Sequence, residues 1–345
     1  MALAIVGVLL FQNRGGLSQL AGHEKNWWLL VVAFGLVLGS TLLTFLRWFL
    51  LVWAQGFEFR FRDALRLGFL GLVFNYLSLG SVGGDLFKAI FLASEQVSRR
   101  TVAVATVVLD RVLGLLALFM VGAIATLLPV QVAWTKDLET VRALLWLGSV
   151  AGLLGLIVML HPVPARWKWL QSLTRLPAVG RPFGELLHGV TLYQSRPNAV
   201  VAALFLSLFG HGGLILGFYC CAKALLPWSP NLLTHLFFMP MAETIGAIPL
   251  TPGGLGTLEE AVNWFYERLA ESSGAGAVGA AGGLLATLAF RVVNLMVTAV
   301  GGVYYLTARR EISLVMEGAA IAEPPRDASG QAATETKTTE TSAAR

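Results

Sequence analysis

The chain is poor in charge. Only 13% of its 345 residues are Asp, Glu, Lys or Arg, about half the roughly 25% of a soluble domain. With 56% hydrophobic residues and a mean hydropathy of +0.70, that shortage excludes an ordinary soluble fold and indicates an integral membrane protein. Cysteine is almost absent. The two present, Cys220 and Cys221, are adjacent in an apolar run, which fits neither a zinc site nor a disulfide framework, so both are expected to be buried helix residues. Runs of alternating apolar and polar residues are missing, which excludes an outer-membrane barrel. The chain also lacks G-x-x-x-x-G-K-[ST], H-E-x-x-H and G-x-S-x-G. These absences argue against a P-loop nucleotide drive and against zincin or α/β-hydrolase chemistry. No catalytic residue, metal site or cofactor is expected, and the chain is not read as an enzyme. The net charge of +5 does not indicate nucleic acid, because the basic residues lie between apolar runs, where they mark cytoplasmic loops.

What is present is a series of apolar segments. Trp27–Trp53, Thr101–Leu128, Arg142–Leu160, Asn198–Cys221 and Ala281–Leu306 are each long enough to span. Met1–Phe11 is apolar but short. It counts as a doubtful first helix, and the natural start is expected upstream. Two further stretches are broken: 64–93 at Gly80–Gly84, and 232–269 at Thr251–Gly256. Each predicts two half-length helices joined by a turn. Arg60, Arg62 and Arg66 precede the first stretch and Arg99 and Arg100 follow it, so it should enter and leave on the cytoplasmic side. The second is flanked by Lys223 and by Glu267, Arg268 and Glu271, so it should enter from outside. The expected architecture is an all-α integral membrane protein with about six transmembrane helices plus two inverted re-entrant helical hairpins. It sits in the plasma (inner) membrane with a cytoplasmic C-terminus. A membrane domain covers 1–310, and the polar tail 317–345 is expected to be disordered.

The two broken stretches resemble each other. "LSLGSVGGDLFKAI" from Leu77 and "IPLTPGGLGTLEEAV" from Ile248 each join a small-residue turn to an acidic helix start. The spans that follow share a core, "ATVVLDRVLGL" from Ala105 and "ATLAFRVVNL" from Ala286, with one residue of gap. This suggests inverted repeats over about 57–128 and 228–307, and glycine-interrupted segments at matching places point to a transporter-type site. Broken backbone at membrane depth needs protein or a water-filled cavity to satisfy it, and half-helix starts favour anions. Asp85 is the expected cap of the half-helix after Gly83 and Gly84. Thr257 with Glu260 has capping-box spacing after Gly256.

Charges near the middle of spans are expensive, and the chain places Asp110, Arg111 and Arg291 there. Thr287, Arg291, Asn294 and Thr298 follow helical spacing and form a polar stripe. The functional reading is a headgroup chamber between the hairpins, built around Lys88, Arg111 and Arg291, since the arginine fork suits phosphate. The residues assigned to it are Asn75, Gly83, Gly84, Asp85, Lys88, Asp110, Arg111, Glu243, Pro252, Gly253, Gly254, Gly256, Glu259, Arg291 and Asn294. The structural alternative is caps, turns and internal ion pairs, with Arg111 and Arg291 neutralised by Asp85, Glu243 or Glu259. Glu243 is also a candidate proton site, and His211 reads as a packed helix histidine.

"NYLSLGSVGGDLFKA", "VVLDRVLGLLAL" and "PLTPGGLGTLEEAV" resemble the lysylphosphatidylglycerol synthase transmembrane region family, which includes the flippase half of multiple peptide resistance factor. The resemblance covers roughly Trp27 to Leu306. It implies a polytopic protein that moves a lipid between leaflets. The family's two-part proteins add a soluble domain that attaches an amino acid to phosphatidylglycerol, and the polar tail of this sequence is not expected to house one. The expected function is flippase-like transport of an anionic or modified phospholipid or lipid-linked headgroup. The alternative is a non-transporting partner or regulator of a separately encoded lipid-modifying enzyme. Expected partners are membrane lipids with anionic headgroups, such an enzyme, and a second copy of the chain. Nucleic acid is not expected.

Overall fold

The computed structural model describes residues 11, 24–77, 82–96, 99–161, 180–248, 251 and 254–321. Among them are ten helices and no strand. In chain order they are α1 (Trp27–Ala54), α2 (Phe61–Leu77), α3 (Val82–Glu95), α4 (Arg100–Ala125), α5 (Lys136–Leu160), α6 (Gly180–Ser195), α7 (Pro197–Leu225), α8 (Leu232–Ala247), α9 (Thr257–Ser273) and α10 (Gly276–Ile321). The chain divides into two units, 1–304 and 305–345. All the geometry below belongs to the first. In the second, 305–321 are helical.

Five of the described helices are long and apolar enough to cross a membrane: α1, α4, α5, α7 and, within α10, Ala281–Val303. They are the five full spans expected from the sequence, with shifted ends. The doubtful sixth segment, Met1–Phe11, lies outside the described residues apart from residue 11. One correction is at α5, which begins at Lys136 rather than Arg142. The Thr135 hydroxyl oxygen accepts the Leu138 N–H at 3.4 Å, and Asp137 and Glu139 occupy the first turn, where negative charge meets the helix dipole favourably. α7 extends past the predicted Cys221 to Leu225.

α4 occupies the centre, against α3, α5, α7 and α8. α1 and α7 run along each other through small residues, with Gly213 opposite Ser40 and Gly217 opposite Val37. Small side chains of this kind allow close backbone approach where lipid offers no hydrophobic drive between helices. Cys220 and Cys221 are free and buried, as the apolar run predicts.

Both broken stretches form helical hairpins, α2 with α3 and α8 with α9. Their arms have 14 to 17 residues, or about 21–26 Å at 1.5 Å per residue. Each arm is therefore shorter than a bilayer core of about 30 Å. A backbone contact pins each hairpin. A Cβ on Gly84 would stand 2.2 Å from the Gly71 carbonyl oxygen, and a Cβ on Gly254 would stand 2.3 Å from the Gly246 carbonyl oxygen. Gly254 also holds a φ of +64°, a region open to glycine at little cost.

Candidate functional site

The first hairpin brings a carboxylate onto the arginine of the span that follows it. Asp85 lies in the first turn of α3 and accepts a hydrogen bond from Arg111 Nε on α4. Lys88, one turn later, places Nζ 3.6 Å from the same carboxylate and 5.4 Å from the centre of the Trp48 ring. Asp85 is thus an ion-pair centre and not the predicted cap. Asn75 of α2 does the satisfying, accepting the Gly84 N–H on its side-chain oxygen at 2.7 Å. Gly83 sits half-buried beside it. Lys88 is buried, whereas the Arg111 side chain is 44% exposed.

The second hairpin repeats the motif. Glu259, in the first turn of α9 and wholly buried, accepts from Arg291 Nε at 2.5 Å and from Nη2 at 3.1 Å. Its other bond is local: Oε2 accepts the Gly256 N–H at 2.8 Å. The residue closing the start of α9 is therefore Glu259, three after the N-cap Gly256. This corrects the predicted pairing of Thr257 with Glu260. Gly256 is the N-cap, so Thr257 is already helical and donates its hydroxyl to the Gly254 carbonyl at 3.0 Å. Arg291 Nη2 also donates to that carbonyl, at 2.6 Å. The Arg291 side chain is 12% exposed. Pro252 and Gly253 lie outside the described residues.

The remaining assigned residues make other pairings. Asp110 pairs with an arginine outside the predicted set. It is buried against Arg47 of α1, which donates to both carboxylate oxygens at 2.7 Å and to the Ser207 hydroxyl of α7 at 2.7 Å. The sequence reading missed Arg47 and Ser207, although Arg47 is the only charged residue of α1 and carried the same signal that marked Arg111 and Arg291. Among the described residues, Glu243 meets no arginine. It faces His211 Nδ1 at 3.7 Å, beyond hydrogen-bond distance. In the predicted stripe, Thr287 donates to Gly283 O, Asn294 to Phe290 O and Thr298 to Asn294 O. Three of its four members thus satisfy their own helix, and among the described residues Arg291 is the member that reaches another element through its side chain.

Arg47, Lys88, Arg111, Asp85 and Asp110 converge where α1, α3 and α4 meet, three basic side chains with two acids. An accessible guanidinium anchored through Nε is chemically suited to a phosphate oxygen.

Fold and charge pattern together define a polytopic α-helical membrane protein. The family model for the lysylphosphatidylglycerol synthase TM region matches residues 1–302, and the chain belongs to that family. The match includes the short first segment, beyond the stretch on which the resemblance rested. No curated protein and no solved structure matches the chain.

Proposed function

We propose that this membrane protein moves a phospholipid with an anionic or modified headgroup between leaflets, with Arg111 and Arg291 as the headgroup contacts of two inverted repeats. One observation carries the reading. Two hairpins of the same construction each place a first-turn carboxylate on the mid-span arginine of the following helix, Asp85 on Arg111 and Glu259 on Arg291. Paired charges at membrane depth are expensive to insert, and they mark substrate paths more often than scaffolding. Each carboxylate holds its arginine when no headgroup is bound, and a phosphate competes for the same guanidinium. The exposed Arg111 is the first contact.

A second reading is a non-transporting membrane partner of a separately encoded lipid-modifying enzyme. The burial of Arg291 and its bonds to Glu259 and the Gly254 carbonyl favour it, because they suit a purely structural pair. Proteoliposomes separate the two readings. Transport predicts protein-dependent movement of headgroup-labelled phosphatidylglycerol or its aminoacylated form to the outer leaflet. Folded protein that moves none of these lipids favours the partner role.

A further inference from the structure

His211 stands at the midpoint of α7 (Pro197–Leu225), about 21 Å from either end at 1.5 Å per residue. Glu243 meets it from α8, one turn before that helix ends. His211 Nδ1 and Glu243 Oε2 are 3.7 Å apart, and the two side chains are 22% and 14% exposed. His211 Nδ1 and Glu243 Oε1 are both buried without a hydrogen-bond partner. Two unsatisfied polar atoms in one contact at this depth are costly and call for an occupant. A metal ion has no ligand set there, since no group of three His, Cys, Asp or Glu side chains forms among the described residues. An anion would meet the Glu243 carboxylate. A proton needs only one acceptor that can become a donor and one acceptor to receive it, and a carboxylate beside an imidazole supplies both.

The charged groups of the surrounding helices are engaged elsewhere. α7 packs on α1, α4, α6 and α8, and α8 packs on α4, α5, α7 and α9. Arg47 of α1 is held by Asp110 of α4, Arg111 of α4 by Asp85, and Glu259 of α9 by Arg291. On α9, Glu267 accepts from Asn263 and Arg268 donates to Asp137 of α5, while Glu260 and Glu271 are exposed. The other charged residues of α5, Lys136, Glu139 and Arg142, lie in its first two turns, and His188 of α6 is exposed. On the pair's own helices, His235 meets Tyr266 and Lys223 lies over Tyr219.

The pair also stands between the two arginine systems. One turn before His211 on the same face of α7, Ser207 accepts from Arg47 Nη1. Just beyond Glu243 on α8, the Gly246 carbonyl packs on Gly254, and the Gly254 carbonyl takes Arg291 Nη2 at 2.6 Å. A change of charge on Glu243 therefore acts next to the backbone contact that pins the second hairpin and holds Arg291.

We propose that Glu243 and His211 bind a proton at mid-membrane and that this proton couples lipid movement to a proton gradient. The coupling rests on the transport reading, and the site does not. Uptake adds one H⁺ to Glu243 Oε2. The neutral acid then donates its O–H to His211 Nδ1, which an approach of about 1 Å brings within hydrogen-bond distance, and His211 stays neutral with its hydrogen on Nε2. Release restores the carboxylate and one H⁺, so no other reactant takes part. Two measurements separate the site from the coupling. The first is infrared difference spectroscopy of the purified full chain between acid and alkaline buffer. A carboxyl C=O band that is absent in Glu243→Gln, shifted in deuterium oxide and displaced in His211→Phe is the expected result. No band from Glu243, or one indifferent to His211→Phe, overturns the site. The second uses phosphatidylcholine proteoliposomes with trace headgroup-labelled phosphatidylglycerol, the membrane potential clamped at zero and a gradient of one pH unit. One proton per lipid shifts the leaflet distribution of the label by up to about 10-fold, its sign distinguishing exchange from co-transport, and Glu243→Gln abolishes the shift. Label that moves to the same distribution with and without the gradient overturns the coupling and leaves transport standing. Label that does not move at all removes the transport reading and the coupling with it, and the infrared result then decides the site. His211→Phe supplies the second variant in both measurements if Glu243→Gln does not fold.

Discussion

Arg47 and Asp110 lie buried among apolar side chains and satisfy each other through two bonds of 2.7 Å, with Ser207 completing the guanidinium. Removing one partner of such a pair strands the other charge, at a cost of about 3–5 kcal/mol, whereas replacing both with apolar residues of similar volume is often neutral. Asp110→Ala should therefore lower the thermal stability of the detergent-solubilised protein sharply, and Arg47→Met with Asp110→Leu should recover most of it. A double variant as unstable as the single one would show that the pair does more than neutralise itself. Individual charges were legible in the sequence because a charge within an apolar run stands out. Their partners were not, because Asp110 and Arg111 are adjacent in sequence yet serve different elements: Asp110 turns to α1 and Arg111 to α3. Adjacent residues on a helix project in different directions, and nothing in the sequence says which neighbour each direction meets.

The hairpins depend on two close backbone approaches. Gly84→Ala would drive a Cβ into the Gly71 carbonyl, and Gly254→Ala would add a left-handed φ, itself worth about 1–3 kcal/mol of strain, to a similar clash. Both variants should melt lower and yield less folded protein. Gly155→Ala, with nothing within 4 Å of its Cβ position, should behave like the parent in the same size-exclusion and melting measurements. Equal behaviour of all three would show that the turns are not pinned where the geometry puts them. The glycines at both breaks were readable from sequence because such runs interrupt otherwise continuous apolar stretches. The capping chemistry was less readable. Glu259 and Glu260 both follow Gly256 closely, and which one reaches back depends on where the helix starts. At the first turn the satisfying group, Asn75, comes from the preceding helix, a contact that local spacing does not encode.

For the molecule as a whole, composition and loop charges were enough to establish a polytopic helical protein with five long spans and two interrupted segments. The packing order around α4 was not available, because every span presents much the same apolar surface to its neighbours. The opposed orientation of the hairpins is open to a direct test. In a background with Cys220 and Cys221 replaced by alanine, Ser272→Cys should react with a membrane-impermeant maleimide in intact cells. Arg62→Cys should react only after the membrane is opened. Labelling of both from the same side would contradict the inverted repeats. The most direct measurement of the central claim is lipid movement itself, read as loss of headgroup-labelled phosphatidylglycerol to an outer-leaflet quencher in proteoliposomes. Wild type is compared with Arg111→Gln and Arg291→Gln, each verified as folded. The account predicts protein-dependent movement that falls about 10-fold or more in both variants, the worth of a charge-assisted contact. Movement at the wild-type rate in both would contradict it.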